Sequence, residues 1–168
     1  DVIVLYLGRL AIDKGILDLT KAFALVAPKN TNLKLLVVGP DEDGLLDGIG
    51  KDLDAQLLER LVRRGFSDEP EGYLHAADIF CLPSHREGFG TVIIEAAAAG
   101  IPSIGTDIYG IRDAIVDGVT GILFERAAVH SLASKLEFLV NDKPIRCQLG
   151  EAARLRAIAE FEQQLVVS

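Results

Sequence analysis

Asp78-Ile-Phe-Cys-Leu82-Pro83-Ser-His-Arg-Glu87-Gly-Phe-Gly90-Thr-Val-Ile-Ile-Glu95-Ala-Ala-Ala-Ala-Gly100-Ile-Pro102 divides into three parts. Asp78–Leu82 reads as a buried strand and its entry, Pro83–Gly90 as a loop, and the rest as an apolar helix closed by Gly100 and Pro102. Gly88 and Gly90 let the loop bend without a Cβ penalty. Such a loop, entering a helix N-terminus, presents unpaired N–H groups and positive dipole potential, which suits an anionic group such as phosphate. Glu87 lies before the helix and Glu95 about one turn inside it, so both can face one pocket. Ionised carboxylates only accept hydrogen bonds, which suits sugar hydroxyls. Taken singly, Glu87 also reads as a solvated loop charge and Glu95 as a charge favoured by the helix dipole. In combination, a phosphate seat flanked by two hydroxyl-binding carboxylates describes a nucleotide-sugar site.

Working outward, the same alternation recurs along the chain. Val2–Leu7 is nearly continuous in apolar residues, as expected of a strand buried on both faces of a parallel sheet. Gly8–Gly15 leads into a helix marked by Ile16, Leu19, Phe23 and Val26, with Pro28 at its exit, and Leu33–Val38 is the second strand. The opening unit is therefore β–α–β. Asp41–Asp52 reads as an acidic, glycine-rich loop, followed by a helix from Leu53 to about Leu61 and a short strand over Leu61–Arg64. Gly65–Gly72 is a further loop, and a short helix over Tyr73–Ala77 precedes the strand Ile79–Leu82. Beyond the central stretch come a strand at Ser103–Gly105, a short helix at Ile111–Val116 and a strand at Gly121–Phe124. A helix through Leu132, Leu136 and Leu139, and another from Pro144 onward, complete the order.

This alternation predicts an α/β fold, a Rossmann-like doubly wound parallel sheet of about six strands. Ligands on such sheets sit outside the carboxyl ends of the strands. That edge carries Gly8–Lys14, Gly39–Asp43, Ser84–Thr91 and Thr106–Gly110. Arg9 and Lys14 lie there, where two cations can neutralise a pyrophosphate, the guanidinium touching two oxygens and the ammonium acting as a point charge. Cations are disfavoured at a helix N-terminus, so a ligand explains their placement better than stability does.

Composition bounds the alternatives. The 168 residues fit one domain, and 49% apolar content supplies a sizeable core. A formal charge of −8 argues against a broad nucleic-acid surface but not against a local basic pocket for a phosphorylated ligand. Cys81 and Cys147 form no disulfide framework or metal-ligand spacing, so a reduced, cytoplasmic setting is the default. No apolar run approaches membrane-spanning length, and no signal peptide is visible. Methionine is absent and the chain begins inside a strand-like run, the pattern of a domain cut from a longer protein.

Other patterns are weaker. The spacing from Gly8 to Lys14 is not that of a P-loop, and no G-x-G-x-x-G follows the first strand. Asp41-Glu42-Asp43 has a D-x-D form that can hold a divalent metal, but in a glycine-rich acidic turn it reads as solvated. His85 borders the key loop and reads as a solvated histidine, with contact to ligand as the alternative.

Gly8-Arg9-Leu10 with Lys14-Gly15, Pro83-Ser84 with Glu87-Gly-Phe-Gly90, Glu95-Ala with Gly100-Ile-Pro102, and Asp117-Gly-Val-Thr-Gly121 together resemble the C-terminal donor domain of glycosyltransferase family 4. These are retaining enzymes of the GT-B fold, in which two Rossmann-like domains face each other across a cleft. The resemblance covers nearly the whole chain, and the E-x7-E element with its upstream Arg and Lys carries most of it. The family often shows Gly-Gly followed by Pro-Glu where this chain has Tyr109-Gly110-Ile111-Arg112-Asp113.

The resemblance implies that Arg9 and Lys14 hold the donor diphosphate and that Glu87 contacts hydroxyls of the transferred sugar. These three would carry catalysis. It further implies that the backbone of Phe89, Gly90 and Thr91 meets phosphate and sugar, that Glu95 binds the ribose hydroxyls, and that Gly65–Phe66 lies beside the base. Gly8 and Gly88 complete the implied donor-binding set. No cofactor and no metal is implied. The expected partners are a nucleotide diphosphate sugar and an N-terminal acceptor domain of the same protein, with neither nucleic acid nor a transmembrane segment. The expected function is donor binding for transfer of a hexose-type sugar to an acceptor, residues 1–168 alone being inactive. Two alternatives stay open, a sugar-nucleotide epimerase of similar fold and a non-catalytic nucleotide-sugar-binding module.

Overall fold

The computed structural model describes residues 1–51 and 53–167, leaving aside the side chains of residues 50–51, 161 and 164–167. Six strands form one sheet: β1 (Val2–Leu7), β2 (Leu33–Val38), β3 (Leu61–Arg64), β4 (Ile79–Leu82), β5 (Ser103–Thr106) and β6 (Gly121–Phe124). Their order is β3-β2-β1-β4-β5-β6, and every neighbouring pair is parallel. The expected doubly wound α/β sheet is thus present. Register along β1 is fixed on both sides, with Val4 opposite Leu35 of β2 and Ile79 of β4.

Why the strands carry unbroken apolar runs is visible in their alternation. Val2, Val4 and Tyr6 pack into one core, together with Leu33, Leu35, Val37, Ile79 and Cys81. Leu5, Val38, Phe80 and Leu82 point into a second core on the opposite face. Successive side chains leave opposite faces of a strand, so a sheet covered on both sides needs apolar residues at every position. The first core is closed by α1 (Ile16–Val26) and α5 (Val129–Asn141) through Leu19, Phe23, Leu132 and Leu136. The second is closed by α3 (Glu71–Ala76) and α4 (Thr91–Ala98) through Leu74, Ile93 and Ala96. Each such buried large side chain is worth about 1.5–3 kcal/mol relative to exposure.

Between them, α2 (Ala55–Glu59) is shorter than the predicted Leu53–Leu61 helix, because Asp54 caps its start by accepting from the Leu57 amide at 2.9 Å and Leu61 already belongs to β3. The chain ends in α6 (Lys143–Val167). Two expectations are corrected. Asp41–Asp52 is not simply a loop. The Asp41 carboxylate accepts from the amides of Leu45 and Leu46 at 2.8 and 3.0 Å and starts a 3-10 stretch over Leu45–Lys51. Asp52 and Ser168 lie outside the described residues. Ile111–Val116 is a pair of turns instead of a helix. The Ala114 and Ile115 amides both return to the Ile111 carbonyl, after which the Val116 amide donates to Thr120 Oγ1 at 2.9 Å. Ile111, Ile115 and Val116 are β-branched, so the run has little intrinsic helical preference to resist that diversion.

Candidate functional site

The sheet changes winding direction between β1 and β4. From β1 the chain moves outward to β2 and β3, then returns to place β4 on the other side. The loops leaving the carboxyl ends of these two strands must diverge, and the crevice between them is where ligands of such sheets bind. Gly8–Lys14 leaves β1, and Pro83–Gly90 leaves β4. Arg9, Lys14 and Glu87 are therefore carried by the two loops at the topological switch point.

These loops are fastened to each other. The His85 amide donates to the Asp13 carbonyl at 2.8 Å. The His85 ring Nε2 lies 2.5 Å from Asp18 Oδ2 on α1, so this histidine is a link between elements and not the solvated loop residue expected. Gly15, with φ +74°, sets its bare α-carbon against the Pro83 carbonyl, where a methyl group would collide. From the other side Gly110, φ +92°, presses in the same manner on the Glu87 carbonyl. Only glycine combines such φ values with so close an approach. The segment Tyr109–Asp113 thus acts on the site by bracing the Glu87 loop.

At the centre, Lys14 Nζ donates to Glu87 Oε2 at 3.1 Å, across 73 residues of sequence. The same Oε2 accepts from Ser84 Oγ, also at 3.1 Å. Ser84 is fully buried, whereas the Lys14 and Glu87 side chains are 27% and 17% exposed, enough for a ligand to reach them. Beneath them the buried Tyr6 hydroxyl donates to the Arg9 carbonyl at 2.7 Å and holds the turn that carries Arg9. Burial, and after it the Glu87 charge, push that phenol above its ordinary range, so Tyr6 stays a neutral donor. Arg9 itself is exposed, and its guanidinium has no ion-pair partner among the described residues.

Helix α4 begins beside this pair. Its N-cap, Gly90, offers no side-chain acceptor, so the Thr91 and Val92 amides are open to an anion, while the Ile93 amide donates to the Gly90 carbonyl at 3.0 Å. Gly88, Phe89, Gly90 and Thr91 also border a cavity of about 480 Å³ that runs along α4 toward Arg156 and Glu160 of α6. Lys14 and Glu87 do not line it, so this cavity adjoins the crevice without being it. Phe89 and Tyr109 stand exposed at its rim.

Glu95 sits apart from Glu87. It lines a separate hollow of about 240 Å³ with Glu71, Leu74 and His75 of α3. Phe66, beyond the end of β3, is exposed. Asp41 of the D-x-D pattern is turned inward, its side chain 11% exposed and its oxygens engaged by two amides and by Arg63 at 3.4 Å. Ser84 is the polar contact to Glu87 to which the sequence assigned no role. Its place three residues before the carboxylate in a loop was the available signal.

Set beside known proteins, residues 1–156 match the family described as glycosyl transferases group 1. The chain is 35% identical over 162 residues to the capsular polysaccharide biosynthesis glycosyltransferase CapM of Staphylococcus aureus, covering 96% of this chain and 42% of that protein. It is 33% identical over 169 residues to a glycogen synthase of Mycobacterium tuberculosis, covering 98% and 40%. The chain thus spans about two fifths of the length of these relatives. Among solved structures, TarM superposes with a TM-score of 0.88 at 26% identity, over 98% of this chain and 33% of that one. A mutant of S. aureus TarM, in complex with fondaparinux, α-GlcNAc-glycerol and UDP, superposes equally well. No helix among the described residues is long and apolar enough to cross a membrane.

Proposed function

The chain belongs to the glycosyl transferases group 1 family, and on that premise we propose that it is the donor-binding half of a retaining glycosyltransferase of the family 4 type. It would bind a nucleotide diphosphate sugar, from which the longer protein transfers a hexose-type sugar to an acceptor. The observation that carries this reading is the Lys14–Glu87 contact at the β1/β4 switch point, beside the uncapped start of α4. It sets a cation and a hydroxyl-accepting carboxylate beside the free Thr91 and Val92 amides. The UDP found with the TarM mutant, 26% identical to this chain, supports a nucleotide as the ligand class.

The chemistry follows from charge. Breaking the bond between sugar and diphosphate builds negative charge on the leaving oxygens. Lys14 and Arg9 approach from one side and the α4 amides from the other, and interactions that strengthen as this charge develops lower the barrier. Their fixed positions avoid reorganisation during the step. Glu87 accepts hydroxyl donors and orients the sugar, while Glu95, further along α4, takes the ribose hydroxyls. The roles of Gly8, Gly88, Phe89, Gly90 and Thr91 are backbone contacts with phosphate and sugar. The reading is tested by titrating the chain with nucleotide sugars and nucleoside diphosphates while following thermal unfolding. A ligand that binds the folded state raises the melting temperature by mass action. No shift with any of UDP-glucose, GDP-mannose or ADP-glucose at millimolar concentration would refute it.

A further inference from the structure

We propose that Ser84 is a positioning residue for sugar recognition, acting through Glu87; this rests on the donor-site reading above. Ser84 Oγ donates to Glu87 Oε2 at 3.1 Å, onto the same oxygen that Lys14 Nζ contacts. The other carboxylate oxygen, Oε1, has no hydrogen-bond partner among the described residues. Two donors from opposite sides of the crevice therefore fix the carboxylate by one oxygen and leave the second for a sugar hydroxyl.

The two anchors differ in kind. Lys14 has a long, flexible stem and is needed at the diphosphate, so its hold on Glu87 loosens as the ligand binds. Ser84 has one rotatable bond, is fully buried, and stands in a loop braced at Pro83 by Gly15 and at Glu87 by Gly110. It keeps Oε2 in place when the ammonium turns to phosphate. A buried hydroxyl in a loop has backbone carbonyls within easy reach, and those satisfy most side-chain donors. This one is spent on a carboxylate that is itself partly exposed to the crevice.

The test is calorimetry on the 168-residue chain with UDP-glucose, GDP-mannose and ADP-glucose, each against its own nucleoside diphosphate. For the pair that the parent binds, Ser84→Ala weakens the nucleotide sugar about tenfold and the diphosphate less than about twofold, as loss of a hydrogen bond to a charged group predicts. In a Glu87→Ala background the same substitution changes neither affinity, because its effect runs through that carboxylate. Should Ser84→Ala not fold, as judged by thermal unfolding, Ser84→Cys keeps the size with a weaker donor and gives a smaller loss confined to the nucleotide sugar. Unchanged affinity in the single variant overturns the inference. So does an equal loss for both ligands, or an undiminished loss without Glu87. If the parent chain binds none of the three pairs, the donor-site reading falls, and this inference with it.

Discussion

The α-carbon of Gly15 rests against the carbonyl of Pro83, with no room between them for a methyl group. Gly15 follows the loop that leaves β1 and Pro83 opens the loop that leaves β4, so their contact fastens the two sides of the switch-point crevice together. Gly15→Ala combines a left-handed backbone position with a direct collision, and we expect a loss of at least ~1–3 kcal/mol. A methyl group added at Gly48 would meet nothing within 4 Å, so Gly48→Ala serves as the control and should change stability by less than about 0.5 kcal/mol. Urea unfolding of the two variants distinguishes a contact that matters from a glycine that does not.

Separation of Glu95 from Glu87 predicts a division of labour. Glu95→Gln should weaken nucleoside diphosphates and their sugar conjugates alike, by about 1–3 kcal/mol for a hydrogen bond to a charged group. Glu87→Gln should weaken only ligands that carry the sugar. Calorimetry with both ligand types reads the difference directly, and matching losses in the two variants would contradict it.

How much of this was legible in the chain depends on the range of the interaction. Strand β4, its loop and α4 were readable because continuous apolar residues, two glycines and a Gly–Pro stop are local signals. The parallel, doubly wound sheet of about six strands followed from alternation, but the order of its strands did not. Ile111–Val116 looked helical, but the bond from the Val116 amide to Thr120 is made outside the apparent helix, and no periodicity reports it. Asp41 looked solvated although the Leu45 and Leu46 amides that meet it are local, because they form a turn without periodicity. His85 looked solvated because its partner Asp18 becomes a neighbour only through the fold, as Arg63 does for Asp41. For the same reason Lys14 and Glu87 could be assigned to one sheet edge, but not to one hydrogen bond.

Divalent metal should not change donor affinity. The Asp41 carboxylate already accepts from two amides and pairs with Arg63, which leaves the D-x-D segment poorly suited to a cation. Titrations in excess chelator and in excess magnesium should give the same dissociation constant. A strict magnesium requirement would restore the acidic segment as a ligand.

Transfer should need more than this chain. One wall of a crevice can neither exclude water nor orient an acceptor, and orientation supplies several kcal/mol of a barrier. Residues 1–168 are expected to bind donor without turnover. In the longer protein Lys14→Ala or Arg9→Ala should lower kcat about 10²–10³-fold through lost leaving-group stabilisation. Radiolabelled sugar transfer measures both, and rapid turnover by the 168-residue chain would contradict the first expectation.

The two cysteines should differ in reactivity. Cys81 lies in the fully buried strand β4, where burial pushes its thiol well above the ordinary range, while Cys147 is exposed on α6. The thiolate is the reactive form, so a disulfide reagent should titrate one thiol in the folded chain and two in denaturant.

During synthesis Lys14 leaves the ribosome 73 residues ahead of Glu87, an interval of about 4–15 s at about 5–20 residues per second. Strands β1 and β2 can pair in that time, but β4 must then close a long loop to register Ile79 against Val4. A half-made sheet therefore holds the cation without its carboxylate. On the proposed reading, donor binding becomes a property of the finished sheet, and a nucleotide sugar would favour completion of folding without rescuing any earlier intermediate.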